Sequence, residues 1–313
     1  MKLIDFHCDT ISKIHENPSK GNLKDNEHHV SIDKLIKSNS LAQFFALYVN
    51  AKTHNSCYEY GKELLNSFND QINENKTLIS LGTNYASIIK NEQTNKITAF
   101  LTLEEGGILE GSLDNFFEFY KAGVRLITLT WNYPNEIGYP NANFTYKDQG
   151  LTKFGKELVE AMNHYNTIVD VSHLSDGGFF DVNEISKKPF IASHSNCRSI
   201  TNHPRNLTDP MIRAIADKGG VIGINLASSF LGDSPKTRID DILLHIDHMY
   251  KTGGKQVISL GCDFDGIDNA LEIEDVSEMY KLREALSNHG YSYDMIENIF
   301  YKNALTFIKE VLN

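Results

Sequence analysis

The sequence predicts a (β/α)8 barrel, and three observations carry that expectation. Eight short apolar, β-branched runs recur along the chain, amphipathic stretches separate them, and imidazoles and carboxylates stand where the runs end. Continuous apolar runs are strands buried on both faces, as in parallel sheets, and their alternation with helices is the mark of an α/β fold. The competing architecture, a doubly wound open sheet, ordinarily carries a glycine-rich phosphate loop after its first strand. Here that position holds His7 and Asp9. No repeat, low-complexity block or Pro/Ser-rich linker interrupts the chain, so residues 1–313 are expected to form a single barrel domain.

The first run, residues 3–6, leads into "HCDT". Strand alternation puts His7 and Asp9 on one face and Phe6 and Cys8 on the other. The second run, 43–49, precedes the helical stretch 57–72, and the third, 97–103, precedes 112–123. The fourth, 124–130, is followed by a loop rich in Asn, Pro and Gly and then by 152–166. After the fifth (167–172) and sixth (189–193) comes "TDPMIRAIADKGG", whose Thr-Asp-Pro opening and terminal glycines are helix start and stop signals. The seventh run, 220–226, leads into 238–254, which also ends in glycines, and the eighth is 257–262. Two helical stretches, 275–289 and 293–312, close the chain.

Net charge is −11, from 30 basic and 41 acidic residues, and no Lys/Arg run forms a patch, which excludes nucleic acid as an expected partner. The start, MKLIDFHCDT, lacks the apolar core of a signal peptide, and no apolar stretch reaches the ~20 residues a membrane helix needs. No membrane association is expected, and the expected location is the cytoplasm. Cys8, Cys57, Cys197 and Cys262 show no paired spacing and are read as thiols.

A barrel places its chemistry at the C-terminal ends of its strands. There the first run offers His7 and Asp9, and the third Glu104 and Glu105. The fifth offers His173, the sixth His194, and the eighth Asp263 and Asp265. Any one of these could be a core histidine or a helix-capping acid, but five segments ending alike point to a shared metal site. Mixed imidazole and carboxylate donors suit Zn, Mn or Fe(II), and a set this large holds two ions if one carboxylate bridges them. His28, His29, His164, His203, His245, His248 and His289 are read as structural, His203 least firmly because it stands near Arg205.

The set FHCDT, EEGG, GVRLITLTWN, DVSHLS, SHSNCRS, RNLTD and GCDFDG, in this order, resembles the membrane dipeptidase (renal dipeptidase) family of zinc peptidases, related to the amidohydrolases. The resemblance spans nearly the whole chain and implies a (β/α)8 barrel with two zinc ions that hydrolyses dipeptides, those with a C-terminal D-residue within its range. It implies His7 and Asp9 as ligands of one zinc, His173 and His194 as ligands of the other, and Glu105 as the bridging carboxylate. It implies Arg205 as the group holding the substrate's carboxylate and Asp263 as the acid/base, with Asp265 a turn or supporting residue. Better-known members carry a His after the fourth strand, where this chain has Trp131. The expectation here is that Trp131 walls the pocket while Asn132 or Asn135 supplies a polar contact. Family members are often dimers, which leaves a homodimer open, although the chain carries no dimerisation signal. Two other readings stay open at this point, another amidohydrolase-type enzyme (amidase, lactonase or deacetylase) on the same barrel and a non-catalytic metal-stabilised binding protein. The first-strand His-x-Asp in place of His-x-His favours the dipeptidase.

Overall fold

The computed structural model describes residues 1–313. Strands β1 (Leu3–Cys8), β2 (Ser40–Tyr48), β3 (Ile79–Gly82), β4 (Ile97–Glu104), β5 (Val124–Thr128), β6 (Ile168–Asp170), β7 (Ile191–Ala192) and β8 (Val221–Ile224) run in chain order. β9 (Lys236–Thr237), β10 (Ile258–Leu260) and β11 (Ala270–Leu271) follow. All pairings between these strands are parallel, in the order β2-β1-β10-β8-β7-β6-β5-β4, and β2 pairs with β4 to close the ring. The eight closing strands fall within or beside the eight apolar runs, so the barrel is the architecture the sequence predicts. β3 is additional. It pairs with the lower half of β4, Ile79 opposite Ile97, outside the ring. β9 and β11 pair only with each other above it.

Helices α1 (Thr10–Glu16), α2 (Ile32–Lys37), α3 (Cys57–Glu74), α4 (Tyr85–Gln93), α5 (Leu113–Ala122), α6 (Lys153–His164) and α7 (Asp176–Ile185) fill the first connections. The rest are α8 (Asp209–Asp217), α9 (Ser228–Leu231), α10 (Ile239–Gly253), α11 (Tyr280–Asn288), α12 (Tyr293–Glu297) and α13 (Asn303–Val311). The starts are chemically specified. Ser56, Asn84, Ser112, Thr152 and Ser175 each accept a backbone N–H of the first turn, worth about 1 kcal/mol apiece. The last stretch, read as one helix over 293–312, contains a π-turn at Asn298–Lys302 between α12 and α13.

Two apolar clusters hold the fold. The larger, of 66 buried residues, lies mainly between the ring and its helices, and the smaller, of 16, fills the lower ring interior and its floor. Phe44 and Phe100 stack at 4.5 Å in the smaller cluster, Phe6 packs on Phe44 at 4.7 Å, and Phe307 of α13 meets Phe6 edge-on from below. Phe44 and Phe100 are paired in register, as are Tyr48 and Glu104 four residues on, so all four share the inner face. Period-two alternation thus carries β2 and β4 from an apolar floor to a polar mouth.

β1 departs from that alternation. Its register with β2 shifts between Asp5 and Cys8. Phe6 belongs to the inner cluster while Cys8 belongs to the outer one, so they do not share the face expected of them. The irregularity lets Phe6 plug the floor while His7, the next residue, still reaches the mouth. All four cysteines are free thiols. No helix is long and apolar enough to cross a membrane.

Candidate metal centre and peptidase site

Above the apolar floor lies a polar layer. Asp170, at the end of β6, accepts hydrogen bonds from the Thr128 hydroxyl (2.6 Å), the Ser193 hydroxyl (2.6 Å) and the backbone N–H groups of Ser172 (3.0 Å) and Ser193 (2.9 Å). Since Ser193 gives its proton to Asp170, its oxygen accepts from His194 Nδ1 at 2.7 Å. The neighbouring imidazole is fixed in the same way, with His173 Nδ1 donating to Asn132 Oδ1 at 3.2 Å. Both rings therefore present unprotonated Nε2 atoms inward, and these stand 3.0 Å apart. Two lone pairs facing each other at that distance repel unless a cation lies between them.

Carboxylates complete the cluster. Glu104 Oε1 is 3.1 Å from His173 Nε2 and 3.6 Å from His194 Nε2, while Oε2 is 3.1 Å from His7 Nε2. His7 Nε2 also lies 3.3 Å from Asp9 Oδ2 and 3.7 Å from Asp263 Oδ1. Ligands about 2.0–2.1 Å from one tetrahedral ion stand roughly 3.3 Å apart. Two donor groups gather their ligand atoms within 4.8 Å of one another, His7–Asp9–Glu104 and Glu104–His173–His194, and Glu104 belongs to both, with Oε2 toward His7 and Oε1 toward His173. Asp263 adds a third contact near His7 and His194. Asp9 Oδ1 is buried without a partner.

The electrostatics agree. Burial pushes the carboxyls of Glu104 and Asp263 up, aided by the negative charge of Asp9, while His7 opposes the rise. Burial works against the charge of His7, but Glu104 and Asp9 outweigh it and lift its pKa well above the usual value. Burial, with the charges of His7 and Arg205 nearby, holds His173 and His194 well below it. Such a set, with three acids crowded around His7 and the imidazoles of His173 and His194 held neutral, fits a cation.

One expectation is corrected by the geometry. Glu105, expected to bridge the two ligand groups, turns away from them. It leaves the strand with φ 90°, and its carboxylate accepts the Gly107 N–H (2.7 Å), the Trp131 N–H (3.0 Å) and the Asn135 side-chain amide. Glu105 anchors the loop after β5, and it is Glu104 whose two oxygens face the imidazoles, Oε2 toward His7 and Oε1 toward His173 and His194. The cause is strand parity, because Thr102 and Glu104 share the inner face of β4 whereas Leu101 and Leu103 pack in the outer cluster. Asn135 is also consumed, donating to Leu129 O and accepting from Ile137 and Gly138. Asn132 supports His173 and lines the cavity.

Asp9, Glu104, His173, Arg205 and Asp263 open onto a cavity of about 470 Å³ at the mouth of the barrel, within the range of small-molecule sites. Trp131 forms part of its wall, edge-on to Tyr48 with centroids 5.0 Å apart. Opposite lie Arg205, His203 and Phe230. Arg205 is buried with no carboxylate partner, its Nε unpaired, its only side-chain hydrogen bond a long one (3.4 Å) to His194 O. Burial pulls its pKa down to about 10, so it stays charged at neutral pH. His203, read as structural from the sequence, walls the cavity with its ring 4.5 Å from that of Phe230, and burial holds it neutral, with a pKa of about 4. Asp265, which also lines the cavity, accepts from Thr10 Oγ1 (2.6 Å) and the His29 N–H (2.7 Å). His173, Asp263 and Asp265, like Glu105, have positive φ, and such strain collects at functional sites.

Comparison with known proteins agrees with this geometry. A family model described as membrane dipeptidase (Peptidase family M19) matches residues 1–313. An uncharacterised protein from the pqqA 5′ region of Klebsiella pneumoniae is 34% identical over 240 residues, 72% of this chain and 87% of its own length. An uncharacterised dipeptidase of Schizosaccharomyces pombe is 30% identical over 299 residues, 90% of this chain and 72% of its own. Among solved structures, a metallopeptidase described as dipeptidase AC of family M19 superposes with a TM-score of 0.93 at 24% identity, covering 100% and 99% of the two chains. A Rhodobacter sphaeroides metallopeptidase, liganded with a phosphinate mimic of the dipeptide L-Ala-D-Ala, gives a TM-score of 0.92 at 23% identity, covering 99% of each. The chain belongs to the membrane dipeptidase family, peptidase family M19, and is a peptide-bond hydrolase.

Proposed function

We propose that this chain is a binuclear zinc dipeptidase. The observation that carries the reading is the paired donor set, in which the two oxygens of Glu104 face different imidazoles, His7 on one side and His173 with His194 on the other. His7, Asp9 and Glu104 would hold one ion, and Glu104, His173 and His194 the other. Bound there, zinc supplies Lewis acidity and lowers the pKa of water towards neutrality.

The chain's own residues do the rest. Asp263 Oδ2 accepts the Asn225 amide at 2.9 Å while Oδ1 faces the cluster, so the carboxylate is fixed with one oxygen toward the reacting atoms. It takes the proton of the attacking water and returns it to the leaving amine. Arg205 pairs with the substrate's C-terminal carboxylate, and that contact limits the enzyme to one residue beyond the scissile bond. Trp131 and Tyr48 form the wall opposite.

The direct test is hydrolysis by the zinc-loaded protein of a dipeptide panel with L- or D-residues at the C-terminus, beside matched amides and tripeptides. Dipeptides are expected to be cleaved far better than their amides, with activity lost on chelation and restored by zinc. Removing Arg205 should cost roughly 2–4 kcal/mol in kcat/KM, the scale of a charge-assisted contact in a partly desolvated site. Equal turnover of a dipeptide and its amide by the native enzyme would refute the reading. C-terminal D-residues are included because the Rhodobacter sphaeroides relative is liganded with an L-Ala-D-Ala mimic.

A further inference from the structure

The Arg205 guanidinium is held only by a long hydrogen bond to His194 O (3.4 Å) and by the Phe230 ring 5.4 Å away, so its aim depends chiefly on its backbone. That backbone is held by a second arginine. Arg198, in the loop after β7, donates Nη2–H to Pro204 O (3.0 Å) and Nε–H to Asn206 O (2.8 Å), the carbonyls on either side of Arg205. Its remaining side-chain hydrogen bonds go to Asp176, with Nη1 at 2.7 Å from Oδ2 and Nη2 at 2.9 Å from Oδ1.

Asp176 is itself a junction. It opens α7 three residues after His173 and accepts the Asn141 amide at 2.7 Å, while the Asn141 N–H donates to His173 O at 2.7 Å. One largely buried ion pair thus joins the loops after β5, β6 and β7 and grips the chain on both sides of Arg205. A guanidinium can do this because its donors form a rigid fork, whereas a lysine ammonium cannot bracket two carbonyls and chelate a carboxylate together.

We propose that Arg198, braced by Asp176, is a positioning residue that sets the Arg205 guanidinium for the substrate's terminal carboxylate. The inference rests on the reading of Arg205 as the carboxylate-binding group. Two of the four side-chain hydrogen bonds of Arg198 go to the carbonyls flanking Arg205, so loss of the pair frees the segment that carries that guanidinium.

The test uses the full zinc-loaded chain, a dipeptide and its C-terminal amide, and the variants Arg198→Lys, Asp176→Asn and Arg205→Ala. Arg198→Lys is expected to raise KM for the dipeptide tenfold or more, with kcat within about threefold of native and metal content unchanged. Its kcat/KM for the amide should stay within twofold of native, and adding it to Arg205→Ala should cause no further loss on the dipeptide. Asp176→Asn, which keeps the shape and removes the charge, should move KM in the same direction by less, and supplies the reading if Arg198→Lys folds poorly. An equal loss on dipeptide and amide, or an unchanged KM, in the variants that fold overturns the positioning role while leaving Arg205 in place. If Arg205→Ala fails to separate dipeptide from amide, the carboxylate reading falls, and the role of Arg198 falls with it.

Discussion

At the mouth of the barrel, a methyl group on residue 266 would sit 2.3 Å from both Asp263 Oδ1 and Asp9 Oδ2. Gly266 therefore lets two carboxylates close over the site. Gly266→Ala is expected to weaken metal binding by about 10–100-fold, the usual cost of disturbing the groups that orient ligands. Competition with a chelator measures it, and native affinity would show that the loop yields without cost. Trp131→Phe keeps most of the wall against Tyr48 and removes the indole N–H. If the indole packs, side-chain preference and KM shift with little change in kcat, whereas loss of an oxyanion donor would lower kcat by about 100-fold or more. His7, Asp9, His173, His194 and Asp263 were legible from the strand ends, and the structure brings them together. Glu104 was legible too, because "LTLE" alternates Leu out and Thr in, which puts Glu104 inside. The EEGG motif drew attention to Glu105, whose carboxylate faces Gly107, Trp131 and Asn135 instead of the histidines. Asn225, Asp170 and Ser193 carried no signal, since their roles depend on which strands become neighbours.

Between elements, His245 of α10 ties its helix to the loop after β7. Its Nδ1 accepts the Cys197 N–H at 3.0 Å and its Nε2 donates to Leu231 O at 3.0 Å. Burial chiefly lowers its pKa, to about 4. A histidine that is harder to protonate folded than unfolded stabilises fully above about 6.5, and that stability is lost as pH falls from there towards 4. The loss amounts to about 3 kcal/mol at one pKa unit per 1.4 kcal/mol. His245→Asn keeps an acceptor for Cys197 and removes the titration. Denaturant unfolding should therefore show the native chain losing about 3 kcal/mol more than this variant between pH 7 and 4. Parallel pH profiles would contradict the assignment. The long amphipathic helices were readable from their period and caps. β3 and the two-residue strands were not, because elements so short are set by the partners they meet rather than by their own pattern. The slip in β1 was hidden for the same reason, since alternation assumes regular pairing with β2.

For the whole molecule, eight apolar runs alternating with helices were enough to specify a closed parallel barrel, and barrel geometry then predicts that the strand ends share one rim. What the rim holds is the central matter, and one experiment bears on it most directly. Metal per chain, counted by mass spectrometry on zinc-loaded protein, compares the native enzyme with Glu104→Gln and Glu105→Gln. Gln cannot bridge two cations as a carboxylate does, so Glu104→Gln should fall from about two ions to one or none. Glu105→Gln should keep about two, because that side chain anchors the loop after β5 rather than facing the ligands. Two ions retained in Glu104→Gln and lost in Glu105→Gln, or no more than one in the native chain, would contradict the binuclear site.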